Sequence, residues 1–425
     1  MKFLTIISRL LVGSLFIVSG LIKANDPVGF SYKLKDYFAP DVLNLEFLIP
    51  LVLPLAVLIC IAEIVLGFAT LFGNRIKIVS WLLLLMIIFF TFLTFYSAYF
   101  EKVTDCGCFG DALKLTPWQS FSKDLILLIF VSIIFKERKN IRINTLKQDV
   151  IYALVSIGLI AIFSYGVILW GFPVFFSSVI FAIIYFGKNN AKFSSHSDKV
   201  VLGIPALLSI LFSLHVLNHL PIRDFRPYAI GKSIPEQMVI PEGALIDEYK
   251  NIWYYKDKQD NTKQFSDKDK PWENKDLVFV DRESILITKG YEPPIHDFNI
   301  SSIDGEDFTN YFLSDSNYVF IIIAYDISDK ENQIVSKDVN DLAATCQEKK
   351  ISFIGLTASG YDAIDTFRHE VQAMYNYYTT DEKTLQTIIR SNPGLLLLKN
   401  GIIKGKWHNN DIPDYDEAMK FAAES

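Results

Sequence analysis

The sequence predicts a membrane all-α bundle followed by a soluble α/β domain, and two observations lead to this fold class. The first is composition: 51% of the 425 residues are apolar and the mean hydropathy is positive, which is unusual for a soluble enzyme. The second is charge: residues 1–221 carry a net charge of +6, whereas residues 222–425 carry −12. An acidic soluble half offers no basic surface for a phosphate backbone, so nucleic-acid binding is not expected.

Seven apolar runs in the first half are candidates for crossing a lipid bilayer. A crossing helix needs about 20 apolar residues, because its backbone polar groups must be satisfied inside the helix. The runs extend over residues 4–22, 48–72, 78–100, 121–135, 150–170, 173–186 and 200–220, of which the fourth and sixth are short. Arg9 interrupts the first run and no small-x-small cleavage site follows, so we expect a retained anchor rather than a cleaved signal.

The distribution of Lys and Arg predicts the orientation of these spans. Short cytoplasmic loops are enriched in these residues, and residues 136–147 contain five of them. Placing this loop inside puts the N-terminus inside and, by alternation of seven spans, the C-terminal half outside. We therefore expect a multi-pass protein of a bacterial inner membrane, with a cytoplasmic N-terminus and an extracytoplasmic, periplasmic C-terminal domain.

The most reactive feature is the pair Cys106 and Cys108, separated by Gly107, in a short polar gap between two spans. On the extracytoplasmic side disulfides form and persist. A Cys-x-Cys bridge is possible but tight, and strained bridges are the reducible ones. The pair is therefore either a labile redox pair or a structural disulfide that stays closed, which we call a static staple. Two thiolates supply half of a tetrahedral metal site and no His lies nearby in sequence, so no metal is predicted.

Three features of the sequence resemble those of a known family, the DoxX-like membrane proteins, and specifically their MauE-like branch. These features are the Arg9–Lys23 segment, Glu63 in the second span, and the string Asp105–Gly110, which is the most specific. The resemblance covers about residues 1–140. It implies a four-helix membrane bundle, and redox or maturation work at the membrane, since the best-known branch assists maturation of a disulfide-rich methylamine dehydrogenase. Nothing in this chain specifies an amine substrate.

Two charged residues inside the predicted spans, Arg9 and Glu63, stand out because intramembrane charges are costly and usually face partners. We expect them to form an ion pair that fixes helix packing. The alternative is a proton or quinone site that exchanges electrons with the cysteines. No cofactor is evident in the sequence, and a quinone or another membrane electron carrier is the one cofactor class that the alternative would require.

The remaining chain divides into three parts. Residues 141–221 hold three additional spans, residues 222–296 form a connector with small β-structure, and residues 297–425 follow a strand, helix, strand, helix, hairpin order. This last order resembles a thioredoxin-like domain, with Pro393 where that fold places its cis-proline. Thioredoxin-like enzymes carry Cys-x-x-Cys after the first central strand, but residues 324–331 contain no cysteine. The domain is therefore expected to bind a partner or to shield the cysteine pair.

Two functions from different classes follow from these features, and whether the protein is an enzyme stays open at this stage. In the first, Cys106 and Cys108 carry extracytoplasmic thiol–disulfide exchange with a client protein, and a second dithiol comes from an external protein or a membrane electron source. In the second, the protein is a non-catalytic assembly scaffold whose thioredoxin-like tail is a binding module. A transporter is disfavoured, because one intramembrane carboxylate without a repeat makes a poor ion path.

Overall fold

The computed structural model describes residues 2–103, 107, 109–190 and 197–424. Seven of its helices are long and apolar enough to cross a membrane, which confirms the predicted spans. The helices of this part are α1 (Lys2–Asn25), α2 (Pro27–Phe38), α3 (Val52–Phe72), α4 (Ile76–Phe100), α5 (Pro117–Glu137), α6 (Leu146–Gly166), α7 (Phe172–Asn189) and α8 (Ser197–Asn218). Helix α2 is short and was not predicted, because its sequence alternates polar and aromatic residues without a long apolar run.

Helices α1 and α3 form the centre of the bundle and lie antiparallel against each other. Their close approach depends on glycine: a Cβ on Gly67 of α3 would lie only 2.8 Å from the carbonyl oxygen of Gly13 in α1 and 2.7 Å from Cγ1 of Ile17. Helices α5, α6, α7 and α8 all contact α1, so the last three spans pack onto the same centre as the first four. The seven candidate membrane spans therefore form one bundle around α1 and α3.

The C-terminal end of α1 marks the end of the bundle that faces the C-terminal domain, which we call the domain-facing end. Asn25 Nδ2 donates to the carbonyl of Arg223, just beyond α8, at 2.7 Å. The described residues of the segment between α4 and α5 lie at the same end, where Asp111 contacts Arg390 of the C-terminal domain. At the opposite end, Lys188 and Asp149 form a buried ion pair between α7 and α6.

Two sheets follow the bundle. The connector contains α9 (Ile234–Met238) and an antiparallel sheet of β1 (Glu248–Lys256), β2 (Thr262–Ser266) and β3 (Val278–Thr288) in the order β2-β1-β3. The last part contains α10 (Thr309–Leu313), β4 (Tyr318–Ile323), α11 (Lys330–Ile334), α12 (Ser336–Glu348), β5 (Ser352–Thr357), α13 (Tyr361–Val371), β6 (Asn376–Thr379), α14 (Glu382–Ile388), β7 (Gly394–Lys399), β8 (Ile402–His408) and α15 (Tyr415–Glu424).

The five-stranded sheet has the order β6-β5-β4-β7-β8, with β4, β5 and β6 parallel and β7 and β8 antiparallel to their neighbours. Helices α12, α13 and α15 cover one face and α14 covers the other. The Asn392–Pro393 peptide before β7 is cis. This is a thioredoxin-like architecture, as the sequence predicted. Helix α13 and edge strand β6 were not predicted, because β6 is only four residues long and lacks an apolar run.

Candidate functional site at the junction of bundle and domain

The cysteine pair itself lies outside the described residues, since residues 104–106 and 108 are not among them, but its neighbours are placed. Val103 and Phe109 are buried, at 6% and 4% exposure. Gly107 has a φ of +65°, and a Cβ there would lie 3.0 Å from Cγ of Lys33 in α2. Gly110 N donates to Gly107 O at 3.0 Å, which closes a turn. The segment that carries the pair is therefore anchored at the domain-facing end of the bundle, against α2.

Arg390 of the thioredoxin-like domain connects that domain to this segment. Its Nε donates to both carboxylate oxygens of Asp26, at 3.1 and 2.9 Å, and its Nη2 donates to Asp111 at 3.2 Å. The Arg390 side chain is only 8% exposed. Burial alone would lower its pKa, but the two carboxylates outweigh burial and raise the pKa. Asp26 also caps α2 by accepting from Gly29 N at 2.7 Å, so one carboxylate orients α2 and binds the domain.

A second ionic cluster joins the exit of α8 to the domain. Asp224 accepts from Lys406 Nζ of β8 at 2.6 Å and from Arg226 Nε and Nη2 at 2.8 and 3.0 Å. Burial would raise the pKa of Asp224, but Lys406 and Arg226 outweigh burial and lower it well below its usual range. Near the rim, His219, which directly follows α8, lies 2.8 Å from Asp411. These contacts hold the domain against the end of the bundle.

The end of β4, where thioredoxin-like enzymes place their cysteines, faces α2. The hydroxyl groups of Tyr325 and Tyr32 lie 3.5 Å apart, and burial raises the pKa of Tyr325. Asn392, next to the cis-proline Pro393, donates to Asp326 O at 2.8 Å. This end of the domain is therefore closed by local hydrogen bonds and covered by α2.

The two remaining cysteines are buried in apolar surroundings. Cys60 in α3 and Cys346 in α12 are both 0% exposed and free. Burial raises the pKa of Cys346 to about 12, and a thiol that stays protonated is a poor nucleophile. Neither residue can serve as a resolving thiol from its present position.

The expected pairing of Arg9 with Glu63 is wrong, because Glu63 pairs with Lys23 instead. The Lys23 ammonium and the Glu63 carboxylate are 2% and 3% exposed and in direct contact. In the antiparallel packing Gly20 lies against Ile64, which places Glu63 opposite the end of α1 that carries Lys23. Arg9 is 14 residues from Lys23 along α1, or about 21 Å at the helical rise, too far for its side chain to reach Glu63.

The Arg9 side chain finds its hydrogen-bond partners at the C-terminal end of α3. Its Nε donates to Thr70 O at 3.0 Å, and its Nη2 donates to Leu71 O at 2.8 Å and to Asn144 Oδ1 at 2.9 Å. Its guanidinium also lies over the Tyr152 ring, 4.6 Å from the centroid. Arg9 therefore caps the C-terminal carbonyls of α3 and is a structural residue.

Lys23 and Glu63 belong to a polar pocket inside the bundle that also contains Lys123 and Asp124 of α5. Lys123 donates to Asp124 at 2.6 Å, and Asp124 accepts from Thr94 of α4 at 3.1 Å. Glu63 Oε2 has no hydrogen-bond partner among the described residues. No group of three or more metal-ligating side chains is present in the described part of the chain.

Four residues that form the site were not singled out from the sequence: Lys23, Asp26, Asp111 and Arg390. The only sequence feature that could have indicated these residues is their position along the chain. Lys23 directly follows an apolar run, and Asp111 lies three residues after Cys108. Arg390 lies three residues before Pro393, but nothing in its own neighbourhood indicates a partner more than 300 residues away.

The seven helices and the five-stranded sheet define a multi-pass membrane protein with a thioredoxin-like C-terminal domain. The profile of the family described as Methylamine utilisation protein MauE matches residues 1–136, so the N-terminal part is MauE-like, as its motifs indicated.

A solved structure of the Xanthomonas campestris bacterioferritin comigratory protein, described for its alkyl peroxide reduction activity, is similar to part of the chain. It is 12% identical, covers 30% of this chain and 88% of its own, and has a TM-score of 0.23. No curated protein sequence matches.

Proposed function

We propose that this protein carries out thiol–disulfide redox or protein maturation on the extracytoplasmic side of a bacterial inner membrane, through Cys106 and Cys108. The observation that supports the proposal best is the location of their neighbours: Gly107, Phe109 and Asp111 lie at the junction between bundle and domain. A thiol pair there is next to both a membrane interior and a protein-binding fold.

The proposed reaction is exchange with a client dithiol. A client thiolate attacks the Cys106–Cys108 disulfide, and one sulfur of the pair leaves as thiolate and takes up a proton. The second client thiol then attacks the client sulfur of the mixed disulfide, and the remaining sulfur of the pair leaves and takes up a proton. The client gains a disulfide and the pair is reduced, so two electrons must next pass to an external dithiol protein or a membrane electron carrier.

The thioredoxin-like domain acts in this proposal as a docking module for the client. Its strand β4 ends without cysteine, and Tyr325 at that end lies against Tyr32 of α2. The ionic contacts of Arg390 fix the domain beside the segment that carries the pair. A client bound to the domain would therefore be close to the thiols.

The absence of cysteine from that end of the domain also favours the second function, a non-catalytic assembly scaffold in which the pair is a static staple. One experiment separates the two. The redox state of the pair is measured in intact membranes by alkylation mass shift across a graded thiol/disulfide buffer, with Cys60 and Cys346 replaced by Ser. A midpoint between about −120 and −270 mV, the range of working oxidoreductases, supports the redox function. A pair that stays oxidised below about −300 mV supports the scaffold function instead.

A further inference from the structure

Strand β3 of the connector is an exposed edge strand. It pairs with β1 on one side, and on its other side no strand of the described part of the chain pairs with it. Every residue of β3 except the last, Thr288, is exposed to solvent. An edge strand presents a row of outward backbone N–H and C=O groups, with which a further strand can pair.

The side chains of β3 follow an apolar, charged, apolar order. Charged residues occupy the middle of the strand, at Asp281, Arg282 and Glu283. A group of three large apolar residues lies on each side of them, and each of these side chains is between 40% and 66% exposed: Val278, Phe279, Val280, Ile285, Leu286 and Ile287. Exposed apolar surface of this extent, outside the membrane spans, marks an interaction site.

The C-terminal end of β3 lies next to the membrane segment whose sequence contains the cysteine pair. Glu292 follows the strand by four residues. Lys289 lowers the pKa of the Glu292 carboxyl by a hydrogen bond, and Lys114 lowers it further by its charge. Lys114 lies six residues after Cys108. An extended chain paired with β3 would therefore run toward that segment.

The charged middle of β3 disfavours a lipid surface as its occupant. Contact of the whole strand with hydrocarbon would bury Asp281, Arg282 and Glu283, and burying charged groups without partners costs free energy. Hydrocarbon also offers no hydrogen bonds to the outward backbone groups of the strand. A polypeptide can supply both counter-charges and backbone groups.

The same charges disfavour a second copy of this chain. Directly opposite residues of an antiparallel ladder share a face, so two copies of β3 can pair only about a two-fold axis through one residue position. An axis at Arg282 sets this residue opposite itself and Asp281 opposite Glu283. An axis at Asp281 or Glu283 sets a carboxylate opposite its own copy, and like charges directly opposite are destabilising. An axis further along sets charged side chains opposite apolar ones or leaves them outside the ladder.

We propose that the free edge of β3 binds an extended segment of the client protein as an added antiparallel strand; that this partner is a redox client rests on the function proposed above. The backbone ladder supplies affinity, and the side chains opposite β3 supply specificity. The segment that fits has apolar residues at both ends, basic residues opposite Asp281 and Glu283, and an acidic residue opposite Arg282, because opposite charges stabilise cross-strand pairs.

The test uses the full-length protein in lipid nanodiscs and a synthetic peptide with apolar β-branched residues on both sides of a Lys-Glu-Lys centre. Hydrogen exchange with mass spectrometry should become slower in β3 when the peptide is added, and stay unchanged in β2, the opposite edge strand. A matched peptide with a Glu-Lys-Glu centre should bind about 10-fold more weakly, because it sets three like-charge pairs against the strand.

A charge-swap variant tests the register and guards against misfolding. Asp281→Lys/Glu283→Lys should reverse the preference, so that the Glu-Lys-Glu peptide binds more tightly; a misfolded strand could not gain this binding. Glu273→Lys/Asp276→Lys is the matched control, because it makes the same charge change at exposed positions outside β3 and should keep the original preference.

Three results would overturn the proposal. The first is equal affinity of the two peptides for the unaltered protein, which would exclude a specific ladder. The second is slower exchange of β3 in nanodiscs than in detergent without any peptide, which would make lipid the occupant. The third is slower exchange of β3 as the protein concentration rises, which would make a second copy the occupant.

The Cys106→Ser/Cys108→Ser variant separates this inference from the proposed function. Peptide binding should be retained in it, because the surface does not include the thiols. If the pair shows a working midpoint but neither peptide slows exchange in β3, the docking strand is refuted and the redox function stands. If the peptide slows exchange in β3 but the pair never cycles, the docking strand stands and the redox function fails.

Discussion

Arg390→Gln should release the thioredoxin-like domain from the bundle without unfolding either part. Arg390 is 8% exposed and binds Asp26 and Asp111, which are 17% and 23% exposed. Removing one partner of a buried ion pair costs about 3–5 kcal/mol. Because both carboxylates keep some contact with water, we take the lower end, about 3 kcal/mol, which corresponds to roughly a 150-fold shift toward the undocked state.

Hydrogen exchange with mass spectrometry measures this shift in the full-length protein. Exchange should increase in α2, which Asp26 caps, and in α14, which ends two residues before Arg390, and stay unchanged in α13 on the opposite face of the sheet. Arg368→Gln is the matched control, since Arg368 belongs to α13. High salt should change the difference little, because partly buried ion pairs are screened much less than exposed ones.

A double-mutant cycle tests whether the effect comes from the pair itself. Asp26→Asn should reproduce most of the effect, and the double variant with Arg390→Gln should add little to either single variant. Additive effects, or faster exchange throughout α13 as well, would refute the reasoning, because they would indicate independent sites or general unfolding of the domain.

Three further predictions concern stability. Glu63→Gln leaves Lys23 buried without its counter-charge and should lower the free energy of unfolding in detergent by about 3–5 kcal/mol. The double variant Glu63→Leu/Lys23→Met should restore much of this free energy. An unchanged melting temperature for the single variant would show that the pair is dispensable. Gly67→Ala places a Cβ 2.8 Å from Gly13 O and should separate α1 from α3, seen as a lower melting temperature, while Gly158→Ala, with open space around it, should not. The lowered pKa of Asp224 means that its stabilising effect is present above about pH 4, the unfolded value, and is lost as pH falls toward the folded value. Hydrogen-exchange protection of the domain, corrected for the intrinsic slowing of exchange in acid, should therefore fall less steeply between pH 5 and 2 in Asp224→Asn. An identical acid dependence would contradict this.

The elements that could be predicted from sequence are those with a strong local period. Seven apolar runs gave seven helices, and the continuous apolar runs before Tyr325 and after Pro393 gave the central strands β4 and β7. The partner of Glu63 could not be predicted in this way. It depends on the register between α1 and α3, which small residues such as Gly67 set through contacts that no local pattern describes.

Arg390 links the thioredoxin-like domain to the membrane segment next to the candidate cysteine pair. The residue lies three positions before the cis-proline and binds Asp111, three positions after Cys108. One side chain therefore links the end of the fold where thioredoxin-like enzymes hold their redox pair to the membrane segment whose sequence contains Cys106 and Cys108. The same Arg390 contact orients α2 through Asp26, so displacement of the domain should also loosen the helix that lies against Gly107.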